Sequence, residues 1–457
     1  METSLLAYGG FAVLFLLLII TVISPVIALY LLPLAFSLSP EIGLGQTAAR
    51  EISIKLEDML LTVLLIRVAF DFVVNKNFPA ERLAGGRFFT PMFLHSLVLI
   101  LTTTLGVAML YASPAAGFFF TLKLVEYFFF FFVVFFYAQN QRDIKIMLAA
   151  VLLTMAIVTF NGYLQIPGGG RIAMPFEGEQ LEPNTFGGYY VVLGAVVAGL
   201  YIHEPKGWKK IFYALLLAAA VLPFVYTQSR GSWVAGGFSL LTFLALTKGL
   251  HRKVLIFAFA ILAVMSIPLL PQHIQERARF WKAEEGFTRT ETIGEMKFDP
   301  STSERIEGYR KALGLFARSP IFGRGMTGAG FFDGQFVRLM VENGILGLAS
   351  FAYLNYRILG YLLSIYRRSP DPFSRGMALG LLCATTGMLV HSLGANTYII
   401  VRIMEPYMLL LALLVSYEKM IKAGVRGAVV EAPSRYTYPY LIGAPSVANG
   451  GMLQGAR

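Results

Sequence analysis

Apolar runs recur along almost the whole of this chain, each close to the roughly 20 residues a helix needs to cross a bilayer core about 30 Å thick. They fall near residues 5–24, 56–74, 91–110, 117–137, 144–162, 184–202, 210–227, 232–247, 253–270, 336–355, 376–394 and 403–418. Backbone amides find no water in lipid, so such runs must fold as helices. The expectation is an all-α fold: a polytopic membrane helical bundle of about 12 transmembrane helices, one per run. Residues 25–40 are apolar too, but Pro25, Pro33 and Pro40 leave a re-entrant segment or a short additional span open. Composition agrees, with 14% charged residues where soluble domains carry about 25%.

The first run has no Lys or Arg ahead of it and no small-x-small cleavage site, so it reads as a retained span. The lone Cys383 sits inside an apolar run and supports neither a disulfide framework nor a cysteine metal site. A net charge of +11 would suggest nucleic acid in a soluble protein. Here it reads as basic cytoplasmic loops, and no nucleic-acid partner is expected.

Lys and Arg concentrate in alternate connections, around residues 76–87, 142–145, 206–210, 248–253, 357–375 and 419–426, which places these in the cytoplasm. Arg171, Arg230 and Arg402 then fall on the outer face. The longest connection, 271–335, lies there as well, since long segments cross largely regardless of charge. Within it STSERIEGYRKALGLFA reads as a helix with Ile306, Tyr309, Leu313 and Phe316 on one face, part of a lid. The chain divides into N-terminal membrane helices (1–270), this loop or lid (271–335), C-terminal membrane helices (336–420) and a flexible tail (421–457).

Four stretches carry candidate chemistry. In YTQSRGSWVAGGFSLL (226–241) Arg230 stands between two apolar runs, flanked by Ser229, Gly231 and Ser232. An arginine at a span end either snorkels to headgroups or faces a ligand; the small polar flanks and a following helix N-terminus suit an anion. GGGRIAMPFEGEQLEPNTFGGYY (168–190) holds Arg171 and Asn184, the latter open to reading as a helix cap. SPIFGRGMTGAGFFDGQFVRLMVENGILGL (319–348) holds Asp333, also a possible cap, and an Arg338–Glu342 pair at i, i+4 that can neutralise itself. Its Gly323-x-Gly325-x-x-Gly328 spells a dinucleotide fingerprint, but no strand or βαβ unit surrounds it, so it is rejected. Its glycines instead suggest a lid that moves. HSLGANTYIIVRIMEPY (391–407) holds His391, Asn396, Arg402 and Glu405; His391 reads as packing or as a substrate contact. Lys123 and Glu126, i and i+3 inside a span, read as an internal ion pair. No metal-binding set and no Walker loop is present.

Together TQSRGSW after a span, the Arg171…Pro183-Asn184 loop, and SPIFGRGMTGAG followed by a polar residue and ENGILGL resemble the O-antigen ligase/polymerase superfamily of bacterial envelope glycan enzymes, over roughly residues 160–415. The resemblance implies about twelve spans, a large periplasmic loop, and glycan transfer from an undecaprenyl-pyrophosphate carrier to an acceptor hydroxyl, without metal or nucleotide cofactor. The ligase pattern places a histidine where this chain has Asp333, so the resemblance points to a polymerase of O-antigen or exopolysaccharide repeat units in the bacterial inner membrane. Ligation to lipid A core and a lipid-linked sugar flippase remain alternatives. On this reading Arg230 and Arg171 stabilise the leaving pyrophosphate and Asp333 orients the acceptor. Arg305, Arg402, His391, Asn184 and Ser229 bind substrate. Expected partners are the lipid-linked oligosaccharide, membrane lipids and a chain-length regulator.

Overall fold

The computed structural model describes residues 19–39, 42–46, 51–74, 88–176, 182–250 and 300–422, with isolated positions between 253 and 297. Most of the spans expected at 5–24 and 253–270, and the tail beyond Lys422, lie outside the described residues. The others are helices: α1 (Pro25–Leu38), α2 (Leu56–Val74), α3 (Phe89–Ala108), α4 (Pro114–Tyr137), α5 (Gln141–Gln165), α6 (Pro183–His203), α7 (Trp208–Tyr226), α8 (Arg230–Leu246), α9 (Pro300–Arg318), α10 (Gln335–Arg368), α11 (Pro372–His391) and α12 (Val401–Lys422). Two short antiparallel hairpins, Ile42–Gln46 with Glu51–Ile54 and Thr292–Ile293 with Met296–Lys297, are the strands among the described residues.

Seven helices, α3 to α7 with α10 and α11, are long and apolar enough to cross a membrane by length and composition. The others described fall short for definite reasons. Helix α8 has 17 residues. Helices α2 and α12 are long, but α2 carries Glu57, Asp58, Arg67 and Asp71, and α12 carries Arg402, Glu405, Glu418, Lys419 and Lys422. The 14 residues of α1 reach about 21 Å, short of the bilayer core.

Helix α6 is the centre of the bundle. It packs on α11, α7, α8 and α12, and most of its residues are buried. Lipid offers no hydrophobic drive for helices to associate, so close backbone approach through small residues substitutes for it. A Cβ on Gly199 of α6 would lie 2.3 Å from the Gly376 carbonyl oxygen of α11, and one on Gly380 would lie 2.5 Å from the Val196 Cα. Charge is balanced internally. Lys123 of α4 pairs with Glu126 at 3.6 Å, as its spacing suggests, and also with Asp58 of α2, which ties two helices together.

Helix α10 breaks at Gly344 (φ 64°, ψ −159°), a conformation that favours glycine. The glycine-rich segment docks at that break. Ile345 N–H donates to the Pro320 carbonyl (2.9 Å), Gly325 N–H to the Glu342 carbonyl (2.7 Å) and Thr327 N–H to Glu342 Oε1 (2.9 Å). Arg338 closes the arrangement through Nε to Glu342 Oε2 at 2.9 Å. A Cβ at Gly323 would sit 2.5 Å from Glu342 backbone atoms. These glycines therefore permit close docking at the break.

Helix α9 forms where expected, but its inward stripe is rotated. Tyr309 and Ala312 pack on Phe332, Val337 and Val341, while Leu313 is 58% exposed. Tyr309, Ala312 and Leu315 face the bundle instead, and Arg305, one turn before Tyr309, is carried inward with them.

Filling the α6–α11 contact should dismantle the bundle. Gly380→Leu is expected to lose the monodisperse peak of the detergent-solubilised protein in size-exclusion chromatography. Gly360→Leu, whose Cβ would meet nothing within 4 Å, should keep it.

Candidate active site

The turn between α7 and α8 carries Arg230, and its geometry begins with an unusual backbone. Gln228 sits at φ 50°, a left-handed conformation that non-glycine residues adopt only where the surroundings enforce it. Ser229 follows as the N-cap of α8, its side chain accepting from the Ser232 N–H. Arg230 is thus the first helical residue, partly buried, at the end of α8 where free N–H groups favour an anion.

The enforcing contacts come from three places. The first is the 171–176 segment. Ile172 N–H donates to the Tyr226 carbonyl at 3.2 Å, and Arg171 donates through Nε to the Thr227 carbonyl (3.2 Å) and through Nη2 to the Gln228 carbonyl (3.5 Å). Arg171 and Arg230 therefore meet at one turn although 59 positions separate their numbers. The second is α6: Ser229 Oγ donates to Asn184 Oδ1 at 2.7 Å. Asn184 lies inside the helix, whose N-cap is Glu182, so its side chain holds the turn and does not cap.

The third is α11. Ser232 Oγ lies 3.0 Å from His391 Nε2, and His391 Nδ1 lies 2.8 Å from Thr397 Oγ1. One proton order satisfies the whole chain. Ser229 spends its only hydroxyl proton on Asn184, so Ser232 donates to Ser229 across 2.7 Å. His391 then donates from Nε2 to Ser232 and accepts at Nδ1 from Thr397. Ser229, Ser232, His391 and Thr397 are all essentially buried, which makes each of these bonds costly to leave unmade. Two glycines of α6 make the room: a Cβ on Gly187 would lie 2.2 Å from Ser232 Oγ, and one on Gly188 3.2 Å from His391 Cε1.

Arg402 lies elsewhere in the same end of the bundle and has a different employment. It is 2% exposed. Its Nη1 donates to the Pro175 carbonyl and its Nη2 to the carbonyls of Phe176 (2.9 Å) and Ser39 (3.5 Å). Gln165 holds the same segment from the other side, with its amide bonded both ways to the Ala173 backbone at 2.9 and 3.0 Å. Arg402 is therefore the far anchor of the Arg171 segment, with its guanidinium under protein carbonyls. The acidic stretch 177–181 beyond it lies outside the described residues.

Asp333 and Arg305 form a neighbouring group around the 392–396 turn. Gln335 N–H donates to the carbonyls of Ser392 (2.9 Å) and Ala395 (3.1 Å), and Asn396 Nδ2 donates to the Phe332 carbonyl at 2.8 Å. Asp333 stands exposed between these contacts; the N-cap of α10 is Gly334, not Asp333. Tyr309 Oη donates to the Leu393 carbonyl at 2.9 Å. Burial pushes its phenol up, against the opposing pull of Arg305, so it stays a donor. Arg305 packs with its Cζ 3.7 Å from where a Gly394 Cβ would be, and its Nε is buried without a hydrogen-bond partner. Gly394 N–H in turn donates to the His391 carbonyl at 3.1 Å, so the two groups share one turn. Among the described residues no group of three or more His, Cys, Asp or Glu side chains is placed to hold a metal ion.

A turn bearing arginines at the head of a helix, followed by a loop docked on a kinked helix, can now be compared with known families. Residues 214–352 match the O-antigen ligase family. The match runs from within α7, through Ser229, Arg230, Arg305 and Asp333, into α10; Arg171, Asn184, His391 and Arg402 lie outside it. No curated protein matches the chain. The ligase-family domain on a multi-helix membrane fold supports a membrane enzyme of the O-antigen ligase/polymerase superfamily.

Sequence reasoning singled out Arg171, Asn184, Ser229, Arg230 and His391 individually and missed the holding contacts of Thr397 on His391 and of Gln165 on the Arg171 segment. Thr397 lay inside the His391 stretch and Gln165 carries no motif; Tyr309 was read only as part of an apolar face.

Arg402→Ala leaves the buried Pro175 and Ser39 carbonyls without that donor, at about 1–3 kcal/mol for each. It should lower the melting temperature of the detergent-purified protein by several degrees.

Proposed function

We propose that this protein is a polysaccharide polymerase that joins undecaprenyl-pyrophosphate-linked oligosaccharide repeat units on the periplasmic face of the bacterial inner membrane. The observation that carries this reading is the meeting of Arg171 and Arg230 at one turn, a short way from the Asp333 loop. In the reaction, an acceptor sugar hydroxyl attacks the anomeric carbon of the donor glycan. The bond from that carbon to the pyrophosphate oxygen breaks, undecaprenyl pyrophosphate leaves with the electron pair, and the hydroxyl proton passes to Asp333 or water.

Charge grows on the pyrophosphate as that bond lengthens. Guanidinium groups that stay charged and offer forked donors stabilise it most at the transition state. They supply the positive charge that a divalent cation provides in other pyrophosphate chemistry. The Ser229–Ser232–His391–Thr397 chain acts on the turn that aims Arg230, so these are positioning residues. Asp333, exposed to solvent, suits orientation of the acceptor more than strong base catalysis.

A second reading is ligation to lipid A core, favoured by the ligase description of the matched family. Asp333 stands where the ligase pattern has histidine, and that favours the polymerase. Supplying purified enzyme with each acceptor separates the two.

In cells, Arg230→Ala should abolish polymer while protein level and membrane insertion persist. Arg230→Lys should restore little, because an ammonium cannot make a forked contact. Full-length glycan from the alanine variant would refute the assignment.

A further inference from the structure

The carboxyl of Glu405, one turn along α12 from Arg402, is 1% exposed, and neither of its oxygens has a hydrogen-bond partner among the described residues. The proposed reaction makes no use of it. Glu57 and Asp58 of α2 and Lys123 and Glu126 of α4 lie close enough to act on it electrostatically. Four carboxyls thus meet one ammonium, and Lys123 is already paired with Asp58 and Glu126. Glu57 is itself buried; its Oε2 accepts from the Ser39 hydroxyl, and its Oε1 has no partner among the described residues. Tyr127 of α4 also faces the group, but its hydroxyl donates to the Ile399 carbonyl at 2.9 Å. Of the other helices packed on α12, α1 has no charged residue, and α5, α6 and α11 carry theirs near their ends.

An ionised carboxylate with no donor in a dry interior is so costly that it takes up a proton instead. A metal ion does not replace the proton, since among the described residues no three such side chains are placed to share one. We propose that Glu405 is a proton-binding site and that its proton latches the segment carrying Arg171. Arg402 links the two. With Glu405 neutral, the guanidinium stays on the carbonyls of Pro175, Phe176 and Ser39. Its Nε is buried without a partner among the described residues, and Glu405 lies at i, i+3 on the same helix, within reach. When Glu405 loses its proton, the guanidinium turns toward the new charge, because opposite charges pair more strongly than a charge and a carbonyl. The 171–176 segment then loses its far anchor, and Arg171 its fixed approach to the turn. The segment is therefore held at low pH and freed as the pH rises.

The test uses the full-length protein in detergent, with infrared spectra and backbone hydrogen exchange as readouts. At neutral pH the wild type should show the carbonyl band of a buried protonated acid. Glu405→Gln, which mimics the neutral form, should lack that band, and Glu126→Gln, whose carboxylate pairs with Lys123, should keep it. Exchange at residues 172–176 is compared between wild type and Glu405→Gln at each pH from about 5 to about 9. The two should match at the acid end, and the wild type should then pull ahead by up to about tenfold per pH unit, the limit for one linked proton. No protonated-acid band at neutral pH, a flat exchange ratio, or a ratio that follows sodium concentration at constant pH would overturn the proposal. So would a Glu405→Gln chain that fails to fold, since the fold would then need the charge. Only the consequence for Arg171 rests on the proposed function; neither readout uses substrate, so failure here leaves that reading standing.

Discussion

The turn at residues 226–229 depends on being fastened from three directions at once, and the rest of the site depends on that turn. Gln228 cannot hold φ 50° unaided, because a side chain in that region collides with its own backbone. The 171–176 segment pulls on the carbonyls of Tyr226, Thr227 and Gln228, Asn184 holds Ser229 from α6, and His391 holds Ser232 from α11. Each fastening is a modest hydrogen bond in net energy. Together they fix where α8 starts, and so where its first residue, Arg230, emerges. A guanidinium aimed at a developing charge is useful only when it need not reorganise as the charge appears.

The fastenings reach the turn because α6 gives up side-chain volume. Gly187 and Gly188 admit Ser232 and His391, and Gly199 admits α11. One helix thus supplies the packing centre and the polar anchor Asn184. The buried charges of the bundle follow the same economy of position. Lys123 ties α4 to α2, and Arg402 ties α12 to the segment that carries Arg171.

Much of this was legible in sequence. The limits of α2, α3 and α6 lie within about two residues of the apolar runs, because lipid forces every backbone amide into the helix that contains it. Hydropathy could not settle the span count: α2 and α12 are as long as their neighbours but keep charges, such as Asp58 and Arg402, whose partners lie in other segments. Nor could it orient α9, where apolar spacing favoured Leu313 and the structure turns Arg305 inward. Pairing was the harder loss. His391 and Ser232 are 159 positions apart, and nothing local marks one as the partner of the other. Arg402 and Arg230 look alike as arginines at span ends, yet one is spent on carbonyls and the other stands at a helix head. That difference lies in tertiary contacts alone.

The most direct measurement is reconstitution of the purified protein in liposomes with its lipid-linked repeat unit, the products being sized on a gel and the carrier assayed. The account predicts a ladder of longer glycans, with one undecaprenyl pyrophosphate released for each bond formed. Repeat units that cross the bilayer, or remain on it, with no covalent change would contradict it.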